Sequence, residues 1–336
     1  MKRYLVILLL ACLALPVFAG AQKETAAAGN DAWVPTKPIS LVVPYAAGGG
    51  TDLLARTIEK IWPKYSPQPI QVVSKPGGGG VTGSVFVATS APDGYTMCMG
   101  YGSGCDMSMP ILQKLEYDPF KAMDPLVLIN VHPVMVGVLS TSEFKTLADI
   151  ADWSKKNNKP VTFASSTANG TVDLVLQAFA KKTGFNATIL QTDGTAQSVS
   201  LLLGNQVMAC GAHPTDIFSH VKSGAVRGIG IAAEQRDSSQ PDVPTFKEQG
   251  IDFAADGSIK GIGVPKNMPD NIKKYYEATF KKVCDDPEFI RIVTKELGQP
   301  VTYMNTADFT AYFRKAADGY KVLIEGLGLA YYQQKK

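Results

Sequence analysis

The chain has little of what reactive centres are made from. Its 336 residues include three histidines, His132, His213 and His220, and five cysteines. None of the histidines stands at metal-ligand spacing, so no metal site is predicted. So few imidazoles also make a general base or an activated nucleophile hard to assemble. There is no Gly-x-Ser-x-Gly elbow, and no Gly-Lys-Ser/Thr follows a glycine cluster, which removes the hydrolase and P-loop patterns. Net charge is small, formally +3, and two of the positive charges, Lys2 and Arg3, lie in a segment expected to be cut away. The remainder is near neutral and gives no reason to expect nucleic acid as a partner. No internal repeat is visible. The expectation is a protein that is not an enzyme and carries no cofactor.

What is present is the composition of a soluble globular protein, 45% hydrophobic and 19% charged, in a chain long enough for roughly two domains. Residues 1–21 read as a secretory signal peptide: Lys2-Arg3, an apolar run from Tyr4 to Leu15, then small residues around Ala19-Gly-Ala21, with cleavage after Ala19 or Ala21. That run is too short to span a bilayer comfortably. Leu9-Leu-Ala-Cys12 offers a second reading, lipidation at Cys12, against which the apolar stretch continues to Phe18. Residues 22–35 lack apolar periodicity and read as a flexible leader. Export places Cys98, Cys105, Cys210 and Cys284 in an oxidising space, yet their spacing is that of neither a disulfide scaffold nor a metal site. Buried thiols are expected, with a Cys98–Cys105 bridge as the alternative.

Strand-like runs alternate with helical patterns almost throughout, which predicts an α/β fold with mostly parallel sheets and helices on both faces. The runs are 39–44, 70–74, 96–100, 126–139, 161–164, 187–191, 206–211, 227–232 and 260–264. Helical patterns over 145–158 and 171–182 lie between them, and Gly184, Gly204, Gly224 and Gly298 stand where left-handed C-terminal caps are wanted. The run 126–139 is too long for one strand of a compact domain and is interrupted by His132-Pro133, so it is read as a passage between two domains. A return crossing is expected near 258–264. Lobe I is then discontinuous, 36–136 plus 259–336, with lobe II, 137–258, inserted, and a ligand cleft lies between them.

The most informative segment is Ile39-Ser-Leu-Val-Val-Pro-Tyr-Ala-Ala-Gly-Gly-Gly-Thr-Asp52, an apolar strand that runs into three glycines and a helix start. Exposed N–H groups and the positive end of a helix dipole make such a junction an anion cradle. The competing reading is a plain tight turn of an α/β fold. Thr51 or Asp52 is the expected helix cap. A second cluster, Lys75-Pro-Gly-Gly-Gly-Gly-Val-Thr-Gly83, has the Gly-x-Gly-x-x-Gly spacing of a dinucleotide fingerprint. The acid needed about 20 residues on falls instead in the polar loop Gly102-Ser103-Gly-Cys-Asp106, so a nicotinamide site is not supported. A third loop, Ala164-Ser-Ser-Thr-Ala-Asn-Gly-Thr171, repeats the cradle logic, unless Ser165, Ser166 and Thr171 merely cap a helix.

Taken in order, Val43-Pro-Tyr-Ala-Ala-Gly-Gly-Gly-Thr-Asp-Leu-Leu-Ala-Arg56, Lys75 to Gly83 and Ala91-Pro-Asp-Gly-Tyr-Thr96 resemble the extracytoplasmic solute receptors of tripartite tricarboxylate transporters, also called Bug proteins. Tyr117-Asp-Pro119, Leu203-Gly-Asn-Gln-Val207, Lys222-Ser-Gly224, Arg236, Pro241 to Thr245 and Glu248-x-Gly250 extend the resemblance over nearly all of 36–328. It implies a two-lobed periplasmic binding protein of type II-like fold that closes like a flytrap on a small carboxylate and delivers it to membrane subunits. The candidate ligand residues carried over are Tyr45, Ala46, Ala47, Gly48, Gly49, Thr51 and Asp52 on the first loop, with Ser103 beside them. On the second they are Ser165, Ser166, Thr167, Ala168, Asn169, Gly170, Thr171 and Asp173, with Thr192 and Asp193 on the next loop. Asp52 is read as a cap that pairs with Arg56 and holds a bridging water.

Departures from the family pattern gather in the second lobe. Its loop commonly reads Ser-Ser-Gly-x-Gly-Ser with a histidine three places later; here Thr167, Asn169 and Gly170 replace the Gly, Gly and Ser, and Asp173 the histidine. Gln191-Thr-Asp-Gly194 stands for Pro-Tyr-Lys-Gly, and Ile259 for a tryptophan. The resulting expectation is a ligand less negative than a di- or tricarboxylate, a monocarboxylate bearing an amine or amide, taken up by a monomer. A receptor that signals to a membrane sensor and an exported α/β enzyme are the competing functions.

Overall fold

The computed structural model describes residues 33–334 apart from Ser103, Asp193 and Asp256. The signal segment, Cys12 and residues 22–32 of the leader therefore lie outside the described residues. Trp33, expected to belong to the flexible leader, packs instead against Tyr95, Tyr275 and Tyr276, with ring centroids 5.3–5.7 Å apart.

Among the described residues ten strands form where apolar and β-branched residues cluster: β1 (Ile39–Val43), β2 (Ile70–Ser74), β3 (Thr96–Tyr101), β4 (Met123–His132), β5 (Val134–Leu139), β6 (Val161–Ser166), β7 (Ala187–Thr192), β8 (Ala209–Ala212), β9 (Val226–Ala232) and β10 (Ser258–Pro265). They make two five-stranded sheets, ordered β2-β1-β3-β10-β4 and β7-β6-β8-β5-β9. The longer helices are α1 (Gly50–Ile61), α2 (Val81–Ala88), α3 (Leu147–Asn157), α4 (Thr171–Thr183), α5 (Thr195–Leu203), α6 (Asp270–Asp285) and α7 (Thr306–Leu327).

The two lobes follow one plan. In the first, β1 leads through α1 to a parallel neighbour β2 and has β3 parallel on its other side. In the second, β6 leads through α4 to β7 and has β8 on its other side, again parallel. The remaining pairings are antiparallel: β10 with β3 and β4, and β5 with β8 and β9. Half of the pairings are thus antiparallel, more than a mostly parallel reading predicts. The extra ones come from strands that carry the chain between sheets and so escape the helical crossover that parallel neighbours require.

The run 126–139 divides at Pro133, which has no N–H to continue a ladder. β4 ends at His132 in the first sheet, and β5 begins at Val134 in the second. β10 brings the chain back, pairing Ser258 with His132 and Lys260 with Asn130. Each lobe has its own core. Trp62, Tyr276, Phe280 and Phe289 fill the first, and Phe144, Phe163, Phe179 and Phe246 the second.

Other differences are local. Gly184 is the left-handed cap of α4, but Gly204 is not left-handed, and the positive φ falls one residue later at Asn205. Cys98, Cys105, Cys210 and Cys284 are all buried free thiols. Burial pushes Cys210 and Cys284 up to about 12, so these thiols stay protonated and unreactive.

Candidate functional site

The first loop is held by a carboxylate rather than capped by one. Gly49 is the N-cap of α1 and makes no side-chain cap, so Thr51 and Asp52 are its second and third helical residues. Asp52, 1% exposed, turns back to accept the Gly48 N–H at 2.9 Å and the Arg56 Nε–H at 2.9 Å. Its Oδ1 is buried with no partner among the described residues. The pairing with Arg56 is as the spacing predicts. The cap is not, because an N-cap needs an extended backbone and Asp52 already lies in the first helical turn.

The second loop is constructed in the same way. Gly170 is the N-cap of α4, again with no side-chain cap, and Asp173 is the third helical residue. Asp173, 2% exposed, accepts from the Asn169 N–H at 2.7 Å, from Gln177 Nε2 at 2.8 Å and from Gln191 Nε2 at 2.8 Å. The plain capping role considered for Ser165, Ser166 and Thr171 is absent: no side chain caps α4, and Ser165 Oγ donates to the Ser166 carbonyl. Both helices therefore present first-turn N–H groups that have no acceptor within the helix.

Between these two helix starts lies a cavity of about 240 Å³. Of the predicted residues, Tyr45 and Thr51 line it from the first lobe, and Ser166, Thr167, Ala168, Asn169, Gly170 and Thr171 from the second. Ala46, Ala47, Gly48 and Gly49 are exposed on the outer part of their loop and do not line it. Asp52, Ser165, Asp173 and Thr192 are buried behind it. Thr192 Oγ1 is engaged with Ser198 Oγ at 2.7 Å and the Gly194 carbonyl at 2.9 Å. Ser103 and Asp193 lie outside the described residues. Sequence reasoning missed Gly79, Gly104, Ser108, Met109, Val172, His213 and Ser258, which complete the lining.

The second glycine cluster serves packing. A side chain at Gly80 would stand 3.0 Å from Tyr45 and Cys105, and one at Gly83 would meet Pro44 at 2.7 Å. The glycines let this turn press against the first loop and bring Gly79 to the cavity. Beneath it, Tyr45 Oη contacts Cys105 Sγ at 3.3 Å, and Cys105 contacts Asp106 Oδ2 at 3.4 Å. Burial without a cation pushes the Asp106 carboxyl up to about 7, although the Gly102 N–H partly offsets this.

A polar cluster sits where the chain crosses between lobes. Lys260 Nζ donates to His132 Nε2 at 3.2 Å and Gln299 Oε1 at 3.3 Å, and Gln299 Nε2 donates to the Gly50 carbonyl at 3.0 Å. The His132 and His213 rings are 5.9 Å apart. His213 Nδ1 donates to the Pro133 carbonyl at 2.9 Å, which leaves Nε2 as the other polar atom of the ring that lines the cavity. Desolvation lowers both imidazoles, His132 strongly, and brings Lys260 down to about 8.

A larger hollow of about 730 Å³ lies elsewhere, against α4 and α7. Its acids Glu234, Asp252 and Asp318 balance its lysines Lys181, Lys182 and Lys247, and neither loop reaches it.

A profile of the family described as tripartite tricarboxylate transporter family receptor matches residues 54–329. The chain belongs to this family. Like other receptors of the family it is a periplasmic binding protein in fold. It is similar to a UPF0065 protein of Cupriavidus necator, 30% identical over 301 residues that cover 88% of this chain and 89% of the relative. It is also similar to the periplasmic binding protein BugD, with a TM-score of 0.75 and 25% identity over 88% of this chain and 99% of that one. MatC of Rhodopseudomonas palustris, solved with bound malate, shares the fold at a TM-score of 0.74 and 24% identity, covering 86% and 99%.

Proposed function

We propose that this receptor takes a small carboxylate in the cavity between its lobes and delivers it to the membrane subunits of a tripartite tricarboxylate-type transporter. One observation carries the reading: two helix starts of like construction, one per lobe, border a single small cavity. Each helix end contributes only about 0.3 to 1 kcal/mol toward an anion when exposed. Closure of both on one ligand excludes water, strengthens both contributions, and couples occupancy to shape. A volume of about 240 Å³ is below that of drug-sized pockets, which suits a small organic acid. The malate found in MatC is of this class.

The division into 36–136 plus 259–336 and 137–258 is the corresponding lobe assignment. The ligand-binding set is the predicted one, with Tyr45, Thr51 and Ser166 to Thr171 innermost. The expected monomer works in the periplasm after removal of residues 1–21, or on a lipid at Cys12. The amino or amide variant of the ligand has weaker support. Asp173 is spent on its own loop, which leaves Thr167, Asn169 and Gly170 as the departing residues that line the cavity, none of them charged.

Native mass spectrometry of the protein purified without refolding identifies the retained ligand. A thermal-shift panel of mono-, di- and tricarboxylates, with amino and amide analogues, ranks the classes. Stabilisation by carboxylates supports the reading, and a panel in which only uncharged compounds stabilise sinks it. Turnover of the retained compound points instead to the enzyme.

A further inference from the structure

Lys260 is 5% exposed, and among the described residues no carboxylate lies within 4.0 Å of its ammonium. A buried charge normally has a counter-ion, because removing it from water is costly. The partners present here, His132 Nε2 and Gln299 Oε1, are neutral acceptors. Asp216 attracts the ammonium only from beyond 4.0 Å, and the location of this charge without a contact ion pair is the informative point. Ser258 and Lys260 are two apart on β10, so their side chains leave the same face of the sheet, and Ser258 lines the cavity. A side chain at Gly50, the first residue of α1, would stand 3.1 Å from Lys260 Nζ. The ammonium therefore lies directly behind the helix end that borders the cavity. Gln299 links the two, and His132 and His213 connect the ammonium to the cavity wall.

We propose that Lys260 is the countercharge of the bound ligand: a specificity-determining residue that acts through space from behind the Gly50 end of α1 and favours ligands in proportion to their negative charge. The proposal rests on the reading of the cavity as a carboxylate site. Among the described residues the charged and titratable groups around it are His132, His213 and Asp216, whose Oδ2 accepts the His213 backbone N–H at 3.2 Å. Across the cavity, Asp173 is turned into its loop by three donors. Among the described residues Asp216 is the carboxylate that acts on the ammonium, and the ligand supplies the counter-charge on the cavity side.

Coulomb energy scales with the product of charges over their separation, so loss of one positive charge acts more strongly on a dianion than on a monoanion, up to twice when both carboxylates lie equally near, and leaves a neutral compound untouched. A purely structural role for Lys260 weakens all three alike. The test uses Lys260→Met, which keeps the stem, with Lys260→Gln as a second neutral variant and Lys260→Arg to restore charge. Unfolding of each apo protein verifies that it folds. Titration calorimetry compares succinate and adipate with their monoamides and diamides. The expected loss for the neutral variants is on the order of tenfold for the monoanion and larger, up to the square of that, for the dianion, with recovery in Lys260→Arg. Equal losses across the three charge states, or none, overturn the proposal while leaving the carboxylate reading intact. Failure of the wild type to bind any of these acids sinks the carboxylate reading. Sulfate then decides the role of Lys260 by thermal shift at matched ionic strength. Stabilisation of the wild type that Lys260→Met loses supports it, and no stabilisation, or stabilisation that persists in the variant, overturns it.

Discussion

Asp52 and Asp173 occupy the same position in two loops 121 residues apart in sequence: each is the third residue of its helix and accepts the backbone N–H of the residue four places earlier, Gly48 at 2.9 Å and Asn169 at 2.7 Å. Those two residues both have positive φ, +81° and +55°. A glycine precedes each helix as its N-cap. The carboxylate takes up the loop N–H that points back into the turn and leaves the first-turn N–H groups of the helix for the cavity. This explains how an acid can sit beside the proposed anion site at tolerable cost, since its carboxylate is engaged by fixed donors.

Removing one of these braces tests that account. Asp173→Ala leaves the Asn169 N–H and the amides of Gln177 and Gln191 without their acceptor. Leaving a buried donor unsatisfied costs about 1 to 3 kcal/mol, and partial rehydration of the two glutamines keeps the total near about 2. Chemical denaturation is expected to show this loss, with a smaller one for Asp173→Asn, which retains one oxygen. Ligand affinity should fall with it, because the loop lines the cavity. Unchanged stability in Asp173→Ala refutes the bracing role.

Gly50 offers a test that leaves the backbone fold alone. Its φ is not positive, and it is the first residue of a helix, so alanine is favoured there by helix propensity. The added carbon would nonetheless stand 3.1 Å from Lys260 Nζ and 3.4 Å from Gln299 Nε2. Gly50→Ala is expected to keep the melting temperature within a few degrees and to weaken ligand binding by about tenfold, by displacing the ammonium or narrowing the cavity. Gly49→Ala is the control, since its new carbon would meet only the Ala46 carbonyl at 3.4 Å. Identical affinities in the two variants count against a role for the Lys260 contact.

The sequence makes legible what is local. Three glycines after an apolar strand announce a turn with free N–H groups, and Ser165-Ser-Thr-Ala-Asn-Gly-Thr171 repeats it. Of the predicted residues, Tyr45, Thr51 and Ser166 to Thr171 do line the cavity. Long-range pairing is where the reading stops. Lys260 meets His132 only because β10, which begins at Ser258, returns beside β4, which ends at His132, and His213 joins them from the end of β8. The one usable signal was the alternation of Ser258 and Lys260 on a strand already read as a return crossing. Asp173 shows a different limit. As a residue type it suggested an amine-bearing ligand, whereas its donors, from one turn before, one turn after and the neighbouring strand, are visible only once the loop is built.

The depressed Lys260 ammonium predicts opposite pH trends for folding and binding. With a folded value of about 8, against an ordinary value near 10.5, the unfolded chain binds more protons between those limits. This group therefore adds to stability as pH rises through about 8 to 10.5. Binding of a dianion needs the ammonium, so affinity is expected to fall as pH passes about 8. Titrations of succinate or adipate from pH 6.5 to 9.5 follow it, and Lys260→Arg, which keeps its charge throughout, should remove the decline. The neighbouring His132 and His213 are held below their usual range and titrate at the acid side, away from this window.

Asp106 predicts a pH dependence of folding that is separate from the ligand. Its carboxyl, fully buried beside Cys105 and with Oδ1 unpartnered among the described residues, is raised from 3.8 to about 7. An acid with a raised folded value binds more protons in the native state, so its contribution to stability is complete below about 4 and is lost as pH rises through 7. The slope within that window is about 1.4 kcal/mol per pH unit for one group. Asp106→Asn cannot titrate, yet its amide oxygen can still accept the Gly102 N–H that Oδ2 now holds at 3.1 Å. The variant should therefore gain on the wild type by at least about 2 kcal/mol between pH 4.5 and 8 in urea unfolding. Because all other titrating groups are common to both proteins, they cancel in that difference. Parallel stability curves for the two proteins would show that Asp106 keeps an ordinary carboxylate pKa in the folded chain, satisfied by more than the Gly102 amide and the Cys105 thiol.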